Sequence, residues 1–403
     1  MNPIKNVSIN RGTNKDVIIF FVLEFILYIS SNLAHPVTPT FFKQLELNDY
    51  MFGVAFATMA FATFLFSPFW GKVIRIISEK RVLAICAIGY SIGQYMFMTS
   101  STELEIFIAR MIGGLFSGGI FVGFLTYITY ISSEQSKAKN IAILATIATL
   151  GGTVGYFLGG LIGNIDVRIS FITQIIMLNI MGIFFGTILV KRKELEKIDR
   201  QNILKEINPF TAFFNIIPYL TSLLSLLFLI SFLASFATTA FDQTFNYYLI
   251  DQLLFQPSYN GFIKAGVGLV SLFSTFICFK IIAKQKILSG LKVTFLCCSL
   301  SLAGVIGVDY LPIFLVIAFI YFACNAVYLP LVQNIASSFG DDRSSSIILA
   351  FYNATKSLGM IIGALVAGYI YDWNPKIPFI IACILFFICY ISQRKYIKLS
   401  LNK

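Results

Sequence analysis

Residues 311 to 334 read LPIFLVIAFIYFACNAVYLPLVQN and contain no Asp, Glu, Lys or Arg. A helix of about 20 apolar residues crosses the ~30 Å hydrocarbon core of a bilayer. In that solvent only a helix or a closed barrel can satisfy its own backbone. Blocks of this kind recur along the chain and set the expected fold class, an all-α membrane protein. We read twelve spans, at 17–41, 50–71, 82–99, 105–131, 141–163, 169–190, 219–247, 258–282, 290–308, 311–334, 346–370 and 377–393. Only 12% of the 403 residues are charged, about half the share a water-facing surface needs.

The longest polar insert, KRKELEKIDRQNILKEINP, covers residues 191–209 and falls between the sixth and seventh spans. It divides the chain into a six-helix bundle over 1–190, a linker over 191–212 and a second six-helix bundle over 213–403. Loop charge tests this count. Of the 30 Lys and Arg residues, Lys43, Arg168 and Lys376 lie in one set of alternate loops, and Arg110, Lys264 and Lys356 lie inside spans. All the others lie in the opposite set of loops, in the span ends that adjoin them (Lys280 and Lys292), and at the ends of the chain. Basic loops stay in the cytoplasm, so the expectation is a multi-pass protein of the inner (cytoplasmic) membrane with both termini cytoplasmic. The opening residues, MNPIKNVSINRGTNKD, lack the apolar core and cleavage site of a signal peptide and read as retained.

The net charge of +11 does not indicate nucleic acid, because it sits in short loops and not on a basic helix interleaved with aromatics. The seven cysteines are scattered through apolar blocks without paired CxxC spacing, so neither a metal nor a disulfide framework is expected.

The fifth span holds GGTVGYFLGG, residues 151–160. Each glycine costs a helix interior roughly 1 kcal/mol relative to alanine, so the run needs a reason. Gly151, Gly155 and Gly159 recur every four residues and share one helix face. A face without side chains lets a second helix approach closely, which in lipid is a main source of attraction. The eighth span, with Gly261, Ala265, Gly266 and Gly268, offers a partner across the two halves. The eleventh span answers with GMIIGALVAG, residues 359–368, so Gly359 and Gly363 stand where the fifth span has Gly151 and Gly155, and Gly368 stands for Gly160. The halves therefore read as a duplicated, pseudo-symmetric six-span unit.

These motifs resemble the major facilitator superfamily, and within it the twelve-helix drug/proton antiporters. That branch carries GxxxGPxxGG in the fifth helix; this chain keeps every glycine and has Tyr156 in place of proline. The fourth-helix RxxxG is present as Arg110 to Gly114. The loop motif GxLxDRxGRR becomes GKVIRIISEKR from Gly71 to Arg81, with Arg75 at the acidic position and Ser78 at the second glycine. The first helix, EFILYISSNLAHP, has the glutamate of a broad-range antiporter of this family but Asn32 where that protein has aspartate. The resemblance implies alternating access about a central cavity lined by the first, fourth, seventh and tenth helices, with gating at the loop and glycine motifs.

Ionisable groups at bilayer depth cost ~2.5–3.5 kcal/mol each on insertion scales. Five lie in the spans: Glu24, Arg110, Asp242, Lys264 and Lys356. Glu24 reads as a reversible proton site, or as a structural glutamate held by a donor. Arg110 would steer that proton by its field, bind an anionic group, or pack against carbonyls. Asp242 and Lys264 lie at similar depth on neighbouring spans and are placed to pair, as a structural pair or gate or, alternatively, as a substrate contact. The proton-coupling candidates are Glu24, Arg110 and Asp242. Asn32, His35, Asn246, Asn325 and Lys356 are the candidate cavity residues. The five charges include two acids and three bases, so an anionic or zwitterionic substrate is as compatible as a cation.

The expected function is secondary active export of a small amphipathic compound, driven by protons and with no other cofactor. No GxxxxGK[ST] phosphate loop occurs. The expected partners are the substrate, protons and the lipid bilayer, and the protein is expected to act as a monomer. The alternatives are proton-coupled uptake or flipping of a lipid-linked molecule. An embedded enzyme is disfavoured by the single histidine and scattered acids, and a sensor by the lack of a large soluble domain.

Overall fold

The structure, a computed structural model, describes residues 13–133, 135–191, 208–339 and 342–401. The retained N-terminal segment and most of the linker read from the sequence lie outside the described residues. Among the described residues, twelve helices are long and apolar enough to span a bilayer. We number them α1 (Asn14–Asn32), α2 (Met51–Ile77), α3 (Glu79–Thr99), α4 (Glu103–Ile131), α5 (Lys137–Gly163) and α6 (Val167–Ile188) in the N-terminal half. The C-terminal half has α7 (Ser222–Asp251), α8 (Pro257–Ala283), α9 (Ile287–Gly307), α10 (Leu311–Ser337), α11 (Asp342–Tyr371) and α12 (Ile377–Leu401). A short helix, Thr211–Asn215, leads into the second half.

Local chemistry sets the helix ends. Thr13 and Asp16 form a reciprocal capping box at the start of α1, and Thr102 and Glu105 do the same for α4. The first span is not one continuous helix, as its length implied. After α1 it passes through a tight turn at His35–Val37 and resumes as a short helix over Thr38–Gln44. Pro36 and Pro39 explain the break, since each lacks an N–H and clashes with the preceding turn. The Pro36 carbonyl is satisfied from the other half, accepting from Asn260 Nδ2 at 2.9 Å.

Between α2 and α3 the backbone turns at Ser78 alone, which takes a positive φ of 85°. This is the loop-motif position where the resembled family has glycine, and its buried hydroxyl has no partner among the described residues. Ser78→Gly should relieve about 1 kcal/mol of backbone strain and raise the melting temperature. An unchanged or lower melting point would show that the turn is not strained. Arg75 is half-buried nearby and Arg81 is exposed.

Each half has its own apolar core. Phe20, Phe124, Tyr127 and Phe185 anchor the first, and Phe241, Tyr321, Phe322 and Phe386 anchor the second. A third cluster belongs to both halves, with Phe41, Phe52, Phe97 and Phe171 packed against Tyr247 and Tyr371.

The glycine row does not pair the halves as read from the sequence. Gly151, Gly155 and Gly159 pack on α1 of their own half, where a methyl at Gly155 would lie 2.5 Å from the Ile29 carbonyl oxygen. Gly359 and Gly363 likewise pack on α7, against Phe232 and Phe236. The seams between halves lie one face round each helix. A methyl at Gly160 would meet Pro257 O at 2.7 Å and Gly261 Cα at 2.9 Å, and one at Gly368 would meet Tyr50 O at 2.6 Å and Gly53 Cα at 3.1 Å. The duplication is therefore spatial as well: equivalent glycines meet equivalent neighbours. Gly114 serves internal packing, lodged against Met59 and Ala62 of α2, whereas Gly71 has nothing closer than Val122 at 3.8 Å.

Both seams close at the lysine-poor end and part toward the lysine-rich end. On α11 the positions 350, 353, 361, 364 and 368 share one face by helical spacing. Ile361 and Ala364 are buried at the α2 seam, whereas Ala350 and Asn353 are exposed. On α5, Gly160 is buried against α8, whereas Thr149 and Ala142 on that face are exposed.

Candidate functional site

Between the halves lie two adjoining cavity lobes of about 400 Å³ and about 270 Å³ that share part of their walls. Asn32, His35, Met59, Tyr156 and Asp242 line both. The break in the first span places two of them: α1 ends at Asn32, and the following turn carries His35. Such interruptions are tolerated at membrane depth where the backbone lines a cavity or is buried in protein. His35 stacks on Tyr156, with ring centroids 5.6 Å apart. The tyrosine that replaces the motif proline thus becomes part of the cavity wall.

The larger lobe is mostly apolar, with Leu27, Ile120, Phe121 and Val267 in its wall. The smaller lobe, nearer the lysine-poor end, adds Arg110, Gln243, Asn246 and Tyr247. Asp242 of α7 and Lys264 of α8 form the expected ion pair, at 2.5 Å, where the lobes meet. Lys264 is also 5.3 Å from the ring centre of Phe322. Asn325 does not line either lobe. Its side-chain oxygen accepts from Thr238 at 2.9 Å, which ties α10 to α7 inside the second half. Lys356 is outside both linings too. Its position on α11 lies between the α7-facing row of Gly359 and Gly363 and the α2-facing row of Ala364 and Gly368, one turn from exposed Asn353.

Glu24 and Arg110 do not form a contact pair. Glu24 is fully buried in α1, and neither carboxylate oxygen has a partner among the described residues. Helical spacing puts it on the face that continues through Tyr28, Ser31 and His35, one turn from the cavity wall toward the lysine-rich end. Arg110 lies at the other end of the cavity, stacked 3.7 Å from the ring centre of Phe97.

A polar latch absent from the sequence reading closes the lysine-poor mouth. Lys43 Nζ meets Asp49 at 2.7 Å and, across the halves, Asp251 at 2.5 Å. Tyr247 donates its hydroxyl to Asp49 at 2.6 Å, and Tyr371 donates to Asp251 at 2.7 Å. Tyr50 stacks on Tyr369 beside them, with centroids 5.1 Å apart. Because Lys43 is more than a third exposed, its ion pairs contribute little energy, in the range of ~0–1 kcal/mol each. They set the register of a contact whose stability comes from the aromatic cluster beneath. Asn164 adds to the closure, donating to Gln256 at 3.2 Å and accepting from the Ser258 backbone at 3.3 Å.

The model of the Major Facilitator Superfamily matches residues 20–348. Quinolone resistance protein NorA of Staphylococcus aureus (strain COL) is 25% identical over 383 residues, covering 92% of this chain and 93% of that protein. Multidrug resistance protein 2 of Bacillus subtilis (strain 168) is 20% identical over 381 residues, with the same two shares. Among solved structures, the nucleoside transporter NupG superposes with a TM-score of 0.72 at 15% identity, covering 96% of this chain and 99% of that one. A bacterial homologue of the lysosomal transporter Spinster, solved inward-facing and occupied, gives 0.74 at 12% identity over 95% and 96%.

Proposed function

We propose, for a chain that belongs to the Major Facilitator Superfamily, that its transport is proton-driven export of small amphipathic compounds. The protein is a multi-pass membrane transporter and not an enzyme; direction and coupling are the proposal. With the lysine-rich loops in the cytoplasm, the cavity is closed outward and open inward, ready to load from the cell. The relatives named for quinolone and multidrug resistance, which this chain matches along nearly its whole length, support export.

The observation that carries the coupling is Glu24. A buried carboxyl with two unpartnered oxygens has nothing to compensate its charge, so its proton affinity must respond when its surroundings open or close. By linkage, a proton that binds one conformation better shifts the equilibrium between them. Glu24 adjoins the cavity wall through Tyr28, so loading of substrate and release of a proton share one helix face.

The test is reconstitution in liposomes with an imposed pH gradient and ethidium as the transported probe. Ethidium should accumulate on the acidic side, and a protonophore should collapse the accumulation. Accumulation that ignores the protonophore, or that runs with the proton flow, would contradict proton-driven export.

A further inference from the structure

We infer that the smaller lobe is a subsite for a carboxylate on an amphipathic substrate, with Arg110 as its cation. This rests on the transport reading above and adds the substrate's charge to it. Arg110 is only 6% exposed, lines the lobe, and pairs with no carboxylate among the described residues. Among the described residues its Nη1 makes only a long contact to Gln94 Oε1, at 3.5 Å, and approaches Met59 Sδ at 3.8 Å, while its Nε has no partner. Gln94 is itself held by an amide chain, donating to Gln174 at 2.6 Å, which donates to the Ser31 carbonyl at 2.7 Å. The chain orients the guanidinium without neutralising it.

The acid that lines the same lobe, Asp242, is committed to Lys264. Asn246 also lines the lobe, and its buried side-chain oxygen has no partner among the described residues. An amide at that place carries N–H donors as well as an acceptor. A buried cation without a counter-ion is expensive, and a planar guanidinium matches a carboxylate with two parallel hydrogen bonds. The residues shared by the two lobes let one molecule place its charged end on Arg110 and its apolar body against Ile120, Phe121 and Val267.

The test uses two dyes with one aromatic body: rhodamine 110, which has a free carboxylate, and rhodamine 123, its methyl ester. Binding to the purified full chain in nanodiscs is followed by fluorescence polarisation. The parent protein should bind the acid about 10-fold tighter than the ester, one charge-assisted pair's worth of discrimination. Arg110→Gln should erase the difference by weakening the acid alone. Asn246→Asp keeps the arginine but adds a carboxylate to the same lobe; it should lower the preference for the acid over the ester about 10-fold, so the inference does not depend on one variant folding. Equal affinities in the parent, no saturable binding of the acid, or a preference that survives Arg110→Gln would overturn it. Loss of gradient-driven transport with this preference intact would count against the export reading alone.

Discussion

Glu24→Gln should reduce proton-driven transport by at least about 10²-fold, the usual scale for removing a proton-transferring group, while the protein still folds and binds substrate. Glutamine keeps the size and shape of the side chain. No donor loses a bond, because neither carboxylate oxygen has a partner among the described residues. A structural glutamate would behave otherwise: its partners would be stranded and the melting temperature would fall. The decisive readouts are pH-gradient-driven exchange in liposomes and, separately, substrate equilibration without a gradient. Loss of the first with the second retained assigns proton carriage to Glu24. Exchange at the parent rate with the gradient intact would remove Glu24 from the mechanism.

Gly160→Val should cut transport by about 5-fold or more through the seam it blocks, whereas Gly71→Ala should leave it unchanged. At Gly160 the added atoms run into backbone, Pro257 O and Gly261, which cannot rotate away. Overpacking of this kind costs ~1–3 kcal/mol, enough for a roughly 5- to 150-fold change in an equilibrium. The cost falls only on the conformation in which the lysine-poor end is closed, so the variant shifts the population toward the form open at that end. Gly155→Val makes the informative contrast. It clashes with Ile29 inside one half, so it should lower thermal stability and expression without biasing one conformation. If Gly160→Val and Gly71→Ala transport equally, the α5–α8 seam does not have to close.

The parts of the molecule legible in the sequence were those fixed by one helix at a time. Twelve apolar blocks and their loop charges identify twelve spans. Similar depth on adjacent spans identifies the Asp242–Lys264 pair. The glycine offsets identify the duplication, and equivalent glycines do occupy equivalent places. What a single helix cannot report is which neighbour its faces meet. Gly151, Gly155 and Gly159 announced a close approach, but α1 and α8 both border α5, and only the angle between Gly155 and Gly160 around the helix separates the two contacts. The break after Asn32 was readable from Pro36 and Pro39, yet hydropathy runs straight through it. The latch at the lysine-poor end left no single-helix signal. Lys43, Asp49, Asp251, Tyr247 and Tyr371 come from three separate stretches of chain, and only the meeting of the halves makes them a unit.

Alternating access requires the two halves to exchange which end is closed, and distances between spin labels at both ends measure that directly. In a chain stripped of its seven native cysteines, one label pair at Ile165→Cys and Leu254→Cys reports the lysine-poor end, and a second at Lys139→Cys and Lys284→Cys reports the lysine-rich end. All four positions are exposed. Between alkaline and acidic pH the two distances should change in opposite directions, and Glu24→Gln should abolish the pH dependence. Distances that stay fixed at both ends, or that lengthen together, would contradict alternating access governed by the buried carboxyl.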